Sequence, residues 1–193
     1  MYKTLQMYSV IAITGFKRSG KDLVAEYISH KYGYTHVKVA SKLKSIIKLA
    51  FDLNDEDVES SKKDLINERL GVSPRRLMDF IGTHVFQYEL NKIMPHVGRK
   101  YWIQDLLHKQ SLSNENIVIS DLRFHHELEE LKKNDSCLIF RVNRDICVES
   151  SELVSEQEIS DLKVDHNLYN NGTIEDLYSQ IDHVLTKRNC CVS

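Results

Sequence analysis

The sequence predicts an α/β fold, a parallel sheet with helices on both faces. Three observations carry this. Short apolar, β-branched runs alternate with stretches whose apolar residues recur at helical spacing. The runs are apolar throughout rather than alternating, as strands covered on both faces require. The first run leads through a glycine-containing loop straight into a helix, the order of a phosphate-binding loop.

That first run is Tyr8 to Thr14, YSVIAIT. After the loop Gly15 to Gly20, the segment Lys21 to His30 carries Leu23, Val24, Tyr27 and Ile28 at helical spacing. His36 to Ala40 is a second strand candidate. Ser41 is a candidate N-cap for a helix bearing Leu43, Ile46, Ile47 and Ala50. Residues 52–66 are acidic, then lysine-containing, with weak periodicity, and read as an exposed, mobile connection. Ser73-Pro74 is a helix start: a hydroxyl that can accept from free N–H groups, then a proline whose missing N–H costs nothing in the first turn. This helix runs through Leu77, Ile81, Val85 and Leu90 to about Ile93, and Pro95 and Gly98 break it. Helix resumes from Tyr101 to His108.

Asn116 to Ser120, NIVIS, is a buried-strand signature ending at Asp121, and CLIFRV from Cys137 to Val142 is another, with helix from Glu127 to Lys133 between them. Asp165 to Tyr169 is a shorter strand candidate. Thr173 caps a last helix with Ile174, Leu177, Ile181, Val184 and Leu185 on one face, and Glu175 and Asp176 complement its positive N-terminal end.

A chain of 193 residues suits one domain and can bury a full core without disulfides or metal. The formal net charge of -2 provides no global basic field to recruit nucleic acid or anionic lipid, so neither is an expected partner. Cys137, Cys147, Cys190 and Cys191 form no C-x-x-C pair, which points to a reducing compartment with Cys137 as a small core residue. No apolar run approaches the roughly 20 residues of a membrane span. A soluble cytoplasmic protein is expected. Cys190-Cys191-Val192-Ser193 matches a C-a-a-X prenylation pattern, with Lys187 and Arg188 upstream, but a polar tail is the favoured reading.

The loop Gly15-Phe16-Lys17-Arg18-Ser19-Gly20-Lys21-Asp22 reads G-x-x-x-x-G-K followed by Asp. Its glycines let the backbone curl so that several N–H groups face one phosphate, and the helix N-terminus adds partial positive charge. All eight residues are candidates for holding ATP, with Lys21 reaching the β- and γ-phosphates. The usual last residue is Ser or Thr, whose hydroxyl binds Mg2+. Asp22 stands there instead, a hard oxygen ligand able to hold Mg2+ directly or through water.

Asp121 follows a strand at the edge where open α/β sheets place ligands, a second candidate for the metal shell. Arg123, two residues on, offers a planar fork for a phosphate. Arg75, Arg76, Arg99, Lys100, Arg141 and Arg144 are further cations, of which a second phosphate site needs only one or two. His125-His126 matches no common metal-binding spacing and reads as a polar helix start. Tyr101 and Trp102 are core or base-stacking residues.

Several segments together resemble a known family. GFKRSGKD, SPRRLMDFIGTHVF, Tyr101-Trp102, VISDLRF and HNLYNNGTIEDLYSQI occur in the order found in the deoxynucleoside monophosphate kinases of bacteriophages and large DNA viruses. The resemblance runs from about Ile11 to Ile181. It implies a three-layer P-loop NTPase fold over residues 1–193, with a helical substrate-binding region over about 41–112 and a small lid over about 144–163. It implies phosphoryl transfer from ATP, with Mg2+, to a (deoxy)nucleoside monophosphate. Lys21, Asp121 and Arg123 would stand at the reaction centre, and Arg76, Ile81, Gly82, Thr83, Trp102, Arg123 and Arg141 around the acceptor. Two departures stand out. Gln87 lies about where a basic residue often follows the I-G-T turn, and the lid segment ESSELVSEQEISDLK is acidic. Two alternatives remain open from sequence: a phosphomevalonate kinase-like enzyme, whose loop also ends S-G-K-D, and a non-catalytic nucleotide-binding protein. The acceptor base and the sugar are undetermined, and a homodimer is compatible with the sequence.

Overall fold

The computed structural model describes residues 8–146 and 158–187. Most of the expected lid, Cys147 and the Cys190–Ser193 motif lie outside the described residues. Among the described residues no helix is long and apolar enough to cross a membrane.

The chain divides into two compact units, one of residues 1–38 and 109–193 and the other Val39–His108. The first holds a five-stranded parallel sheet. Its strands are β1 (Val10–Thr14), β2 (Thr35–Val37), β3 (Ile117–Ile119), β4 (Cys137–Asn143) and β5 (His166–Tyr169), in the spatial order β2-β3-β1-β4-β5. Register is set by apolar partners: Ile11 lies opposite Val118 on one side and Leu138 on the other. Every residue of β1 is buried. Alternate side chains on a strand point to opposite faces. Ile11 and Ile13 bury one face while Val10 and Ala12 bury the other, so both faces are covered, as the apolar runs require.

One face packs on α1 (Lys21–Tyr32) and α8 (Ile174–Lys187). Val24, Ala25, Ile28, Leu177 and Ile181 join Ile11, Ile13, Phe140, Val142 and Leu168 in a single cluster. The rings of Tyr27 and Tyr178 stack at 3.7 Å between centroids. Beside them the Asp182 carboxylate accepts from the Tyr27 hydroxyl, the Tyr32 hydroxyl and the Lys31 ammonium, at 2.7 to 2.9 Å. Burial pushes the Asp182 carboxyl up, but these donors outweigh it and hold it below the usual carboxylate range. A depressed pKa contributes stability above the unfolded value and loses it as pH falls through the folded one. Asp182→Ala should therefore lower stability by about 2 kcal/mol at neutral pH, since three donors lose one acceptor. Urea unfolding of both proteins at pH 7 and near pH 3 tests this: the gap should shrink in acid.

The second unit corrects several expectations. The helix α2 (Ser41–Phe51) starts from Ala40, not Ser41, and has no side-chain cap. Residues 52–66 are not a plain connection. Asn54 and Asp57 close a reciprocal capping box that nucleates α3 (Asp55–Glu59), and a 3-10 turn follows over Ser61–Asp64. Val58 is fully buried beneath it. Capping, which a periodicity reading does not detect, made the difference. Ser73 and Pro74 do start α4 (Pro74–Asp79), with the Ser73 hydroxyl accepting from Arg76 N. Beyond it the helix widens into π geometry over Phe80–Glu89 before α5 (Leu90–Ile93). The buried residues of the widened stretch are Gly82 and Gln87, five apart, which a period of 3.6 does not bring to one face. The next helix, α6 (Tyr101–Ser113), is longer than expected.

Candidate active site

All five strands run the same way, so their C-terminal ends share one edge. Gly15, Lys38, Ser120, Arg144 and Asn170 are the residues that leave it. Two of these exits shape the phosphate loop. Gly15 has φ of 145°, and a Cβ there would lie 2.5 Å from the backbone oxygen of Val142 on β4. Gly20 has φ of 104° at the head of α1, and a Cβ there would overlap Asn170 Nδ2. Arg18 adopts a left-handed φ of 67° without being glycine, which strains the loop at its tip. The loop is held by Ser19 N donating to Phe16 O and by Asn170 Nδ2 donating to Ser19 O at 2.8 Å. Lys21 Nζ donates to Phe16 O at 2.6 Å, so its ammonium lies back along the loop. Lys17 and Arg18 are exposed. The hydroxyls of Thr14 and Ser19 are buried without a hydrogen-bond partner. Such orphans are costly unless a ligand completes them, and a phosphate oxygen accepts from a hydroxyl.

Asp22 opens α1 and has its side chain half exposed. Its Oδ1 accepts from Ser120 Oγ at 2.8 Å and pairs with Lys38 Nζ at 2.9 Å. Behind them His36 Nε2 lies 2.8 Å from Ser120 Oγ. Burial pushes the Asp22 carboxyl up, but Lys38 and Ser120 more than offset it and keep it ionised. Burial, with the charge of Lys38, pushes the His36 imidazole below its usual range. A neutral His36 that donates through Nε2 leaves the Ser120 hydroxyl free to donate to Asp22.

Asp121 and Arg123 lie on the turn after β3, where Leu122 N donates to Ile13 O on β1. Glu127, in the first turn of α7 (His125–Leu131), fixes this turn: its carboxylate accepts from Arg123 N at 2.9 Å and Phe124 N at 3.1 Å. Burial pushes the Glu127 carboxyl up to about 7, aided by the Asp121 charge and opposed by the two backbone donors and the Arg123 charge. A raised carboxyl pKa means the folded protein holds the proton more tightly. Stability is then lost as pH rises from about 4.5 to about 7. Glu127→Gln keeps an acceptor oxygen and removes the charge. It should flatten this part of the stability curve and add on the order of 2 kcal/mol at pH 8. Urea midpoints at pH 5 and pH 8 measure it, and an equal pH slope in both proteins would refute the assignment.

Arg141, expected among the phosphate cations, is engaged elsewhere. Its guanidinium donates to the carbonyls of Ile159 and Leu162, tying down the segment before β5. Burial also pushes the Arg141 guanidinium below its usual range. Trp102, the candidate stacking residue, is only 7% exposed and donates from Nε1 to Gly82 O at 3.1 Å. It lies against Phe86 and props the widened helix from inside the second unit, so it presents no open face to a base. Gly82 is buried against Leu43, with Ile81 and Thr83 half-buried beside it, and Arg76 is exposed on α4. Gln87 is 3% exposed and its Oε1 has no hydrogen-bond partner. Sequence reading missed His36, Lys38, Ser120, Glu127 and Asn170. The strand-end rule, applied to the last strand as it was to β1, β3 and β4, would have found Asn170, whereas Lys38 was hidden because β2 ends at Val37 and not at the expected Ala40.

Strand order, loop and helix together define the P-loop fold of small-molecule kinases. The chain belongs to the deoxynucleotide monophosphate kinase family: the model of that family, "Deoxynucleotide monophosphate kinase", matches residues 9–71 and 54–181. A relative from Acanthamoeba polyphaga mimivirus, named "Putative deoxynucleotide monophosphate kinase", is 32% identical over 183 residues, covering 89% of this chain and 93% of its own. Among solved structures, shikimate kinase from Aquifex aeolicus shares the fold with a TM-score of 0.51 at 15% identity, covering 94% of this chain and 99% of that one. TT1252 from Thermus thermophilus does so at 0.50 and 17%, covering 92% and 96%. The protein is accordingly a phosphotransferase acting on nucleotide monophosphates.

Proposed function

We propose that the chain transfers the γ-phosphoryl group of ATP to a deoxynucleoside monophosphate, releasing ADP and the deoxynucleoside diphosphate. The observation that carries the donor half is the loop Gly15 to Lys21. Its backbone passes too close to β4 for any side chain at Gly15, and it heads α1 beside two buried hydroxyls that lack partners. A preformed anion cradle of this kind fits phosphate.

An oxygen of the acceptor's phosphate attacks the γ-phosphorus in line, the bond from that phosphorus to the bridging oxygen breaks, and ADP leaves. The acceptor phosphate is already ionised, so no strong base is needed and catalysis is positioning and charge neutralisation. Lys21 and the loop N–H groups hold the donor phosphates. Arg123, set by Glu127 on its turn, supplies a cation for the transferring group. Asp22 and Asp121 fit the oxygen-donor set of Mg2+, which when bound would neutralise the phosphate charge. On this reading Arg76 and the Ile81-Gly82-Thr83 stretch serve the acceptor, and Arg141 acts by anchoring the 159–162 segment. The substrates are water-soluble, which fits the cytoplasmic setting expected from sequence, that of a host cell if the chain is viral.

The test is ADP release with ATP, Mg2+ and a panel of the common deoxy- and ribonucleoside monophosphates, with mevalonate phosphate included. Turnover of at least one deoxynucleoside monophosphate well above idle ATP hydrolysis is expected. Activity confined to mevalonate phosphate, or with no acceptor at all, would refute the proposal.

A further inference from the structure

The contacts of Asp22 are lopsided. Ser120 Oγ and Lys38 Nζ both approach Oδ1, at 2.8 and 2.9 Å, and His36 Nε2 lies 3.9 Å from the same oxygen. None of these contacts is to Oδ2. The lysine leaves the C-terminal end of β2, and Ser120 leaves that of β3, so the sheet itself delivers both groups to the head of α1. Ser120 is buried and His36 backs its hydroxyl, which fixes the carboxylate. Lys38 is different in kind, a flexible cation with its side chain about one-third exposed. An Asp at this loop position adds negative charge beside the phosphates, where Ser or Thr would add none. That charge needs a cation at all times, and before metal and nucleotide arrive the ammonium of Lys38 supplies it.

We propose that Lys38 is a resident counter-cation that competes with Mg2+ for Asp22. Loading of the divalent ion with nucleotide moves the ammonium off the carboxylate, so Lys38 sets how much free Mg2+ the protein needs. This rests on the metal-side role of Asp22 proposed above. Removing a unit charge a few ångströms from a half-exposed site should change divalent affinity by about fivefold.

The experiment is calorimetric binding of a non-hydrolysable ATP analogue across a Mg2+ titration, with thermal melting in EDTA alongside. The proteins are wild type, Lys38→Met, Lys38→Arg, Asp22→Asn and the Asp22→Asn/Lys38→Met double variant. Lys38→Met should lower the Mg2+ midpoint about fivefold, while Lys38→Arg, which keeps the charge, should stay near wild type. In EDTA, Lys38→Met should melt below wild type, and the double variant should recover part of that loss because its partner charge is gone too. An unchanged or raised Mg2+ midpoint in Lys38→Met overturns the inference. So does a loss of analogue affinity equal with and without Mg2+, which would make Lys38 a phosphate ligand. If Asp22→Asn shifts the midpoint and Lys38→Met does not, only this inference falls. If neither does, the metal role of Asp22 falls with it.

Discussion

Lys21→Ala should reduce turnover by at least about a hundredfold, the usual scale when a group that neutralises transition-state charge is removed. The effect should fall mainly on kcat, because the loop N–H groups still bind the donor phosphates in the ground state. Folding should change little. The Lys21 side chain is only partly buried, and it donates to Phe16 O in a loop also pinned by Asn170 and by the Ser19-to-Phe16 turn. Lys21→Arg should rescue poorly, since a planar fork does not replace a compact ammonium in a loop this tight. Steady-state kinetics with a melting curve as control decide the matter. Near-normal turnover in a folded Lys21→Ala protein would remove the loop from the mechanism.

The inner strands β1, β3 and β4 were legible because each is an apolar run too short for a helix, and burial on both faces erases any alternation, whereas the edge strands β2 and β5 are short, largely polar and more exposed, and read only as candidates. The phosphate loop was legible because its geometry depends on glycine at Gly15 and Gly20, where side chains would overlap neighbouring atoms. The helical second unit was less so. Its α3 depends on a side-chain cap rather than on periodicity, and the π stretch of Phe80–Glu89 brings Gly82 and Gln87 to the buried face. At the site, the sequence showed which residues carry charge but not where those charges are spent. Arg141 is committed to two backbone carbonyls, and Lys38 looks in sequence like any surface lysine until β2 carries it to Asp22. Glu127 likewise reads as a first-turn acid. Only the fold shows that its carboxylate is buried under the turn bearing Asp121 and Arg123.

Gly15→Ala is the second large effect expected, and its cause is steric. At φ of 145° a Cβ would approach Val142 O to 2.5 Å and Ser19 Oγ to 2.9 Å. The serine side chain can turn aside, but the carbonyl cannot. It belongs to β4, whose Phe140 and Arg141 are in register with Ile13 and Thr14 just before the glycine. Withdrawal of Val142 would open the sheet at its centre, so the loop must move instead. Backbone strain and overpacking together should cost about 2–4 kcal/mol, and the displaced loop should lose nucleotide binding altogether. Gly33→Ala is the control. Gly33 ends α1 at the pole opposite the loop, also with a left-handed φ of 74°, but nothing lies within 4 Å of its Cβ position. That substitution should cost about 1 kcal/mol, the left-handed penalty alone, and leave nucleotide affinity intact. Urea unfolding and calorimetric titration with an ATP analogue separate the two. Equal behaviour of the variants would show that the clash with β4 does not shape the loop.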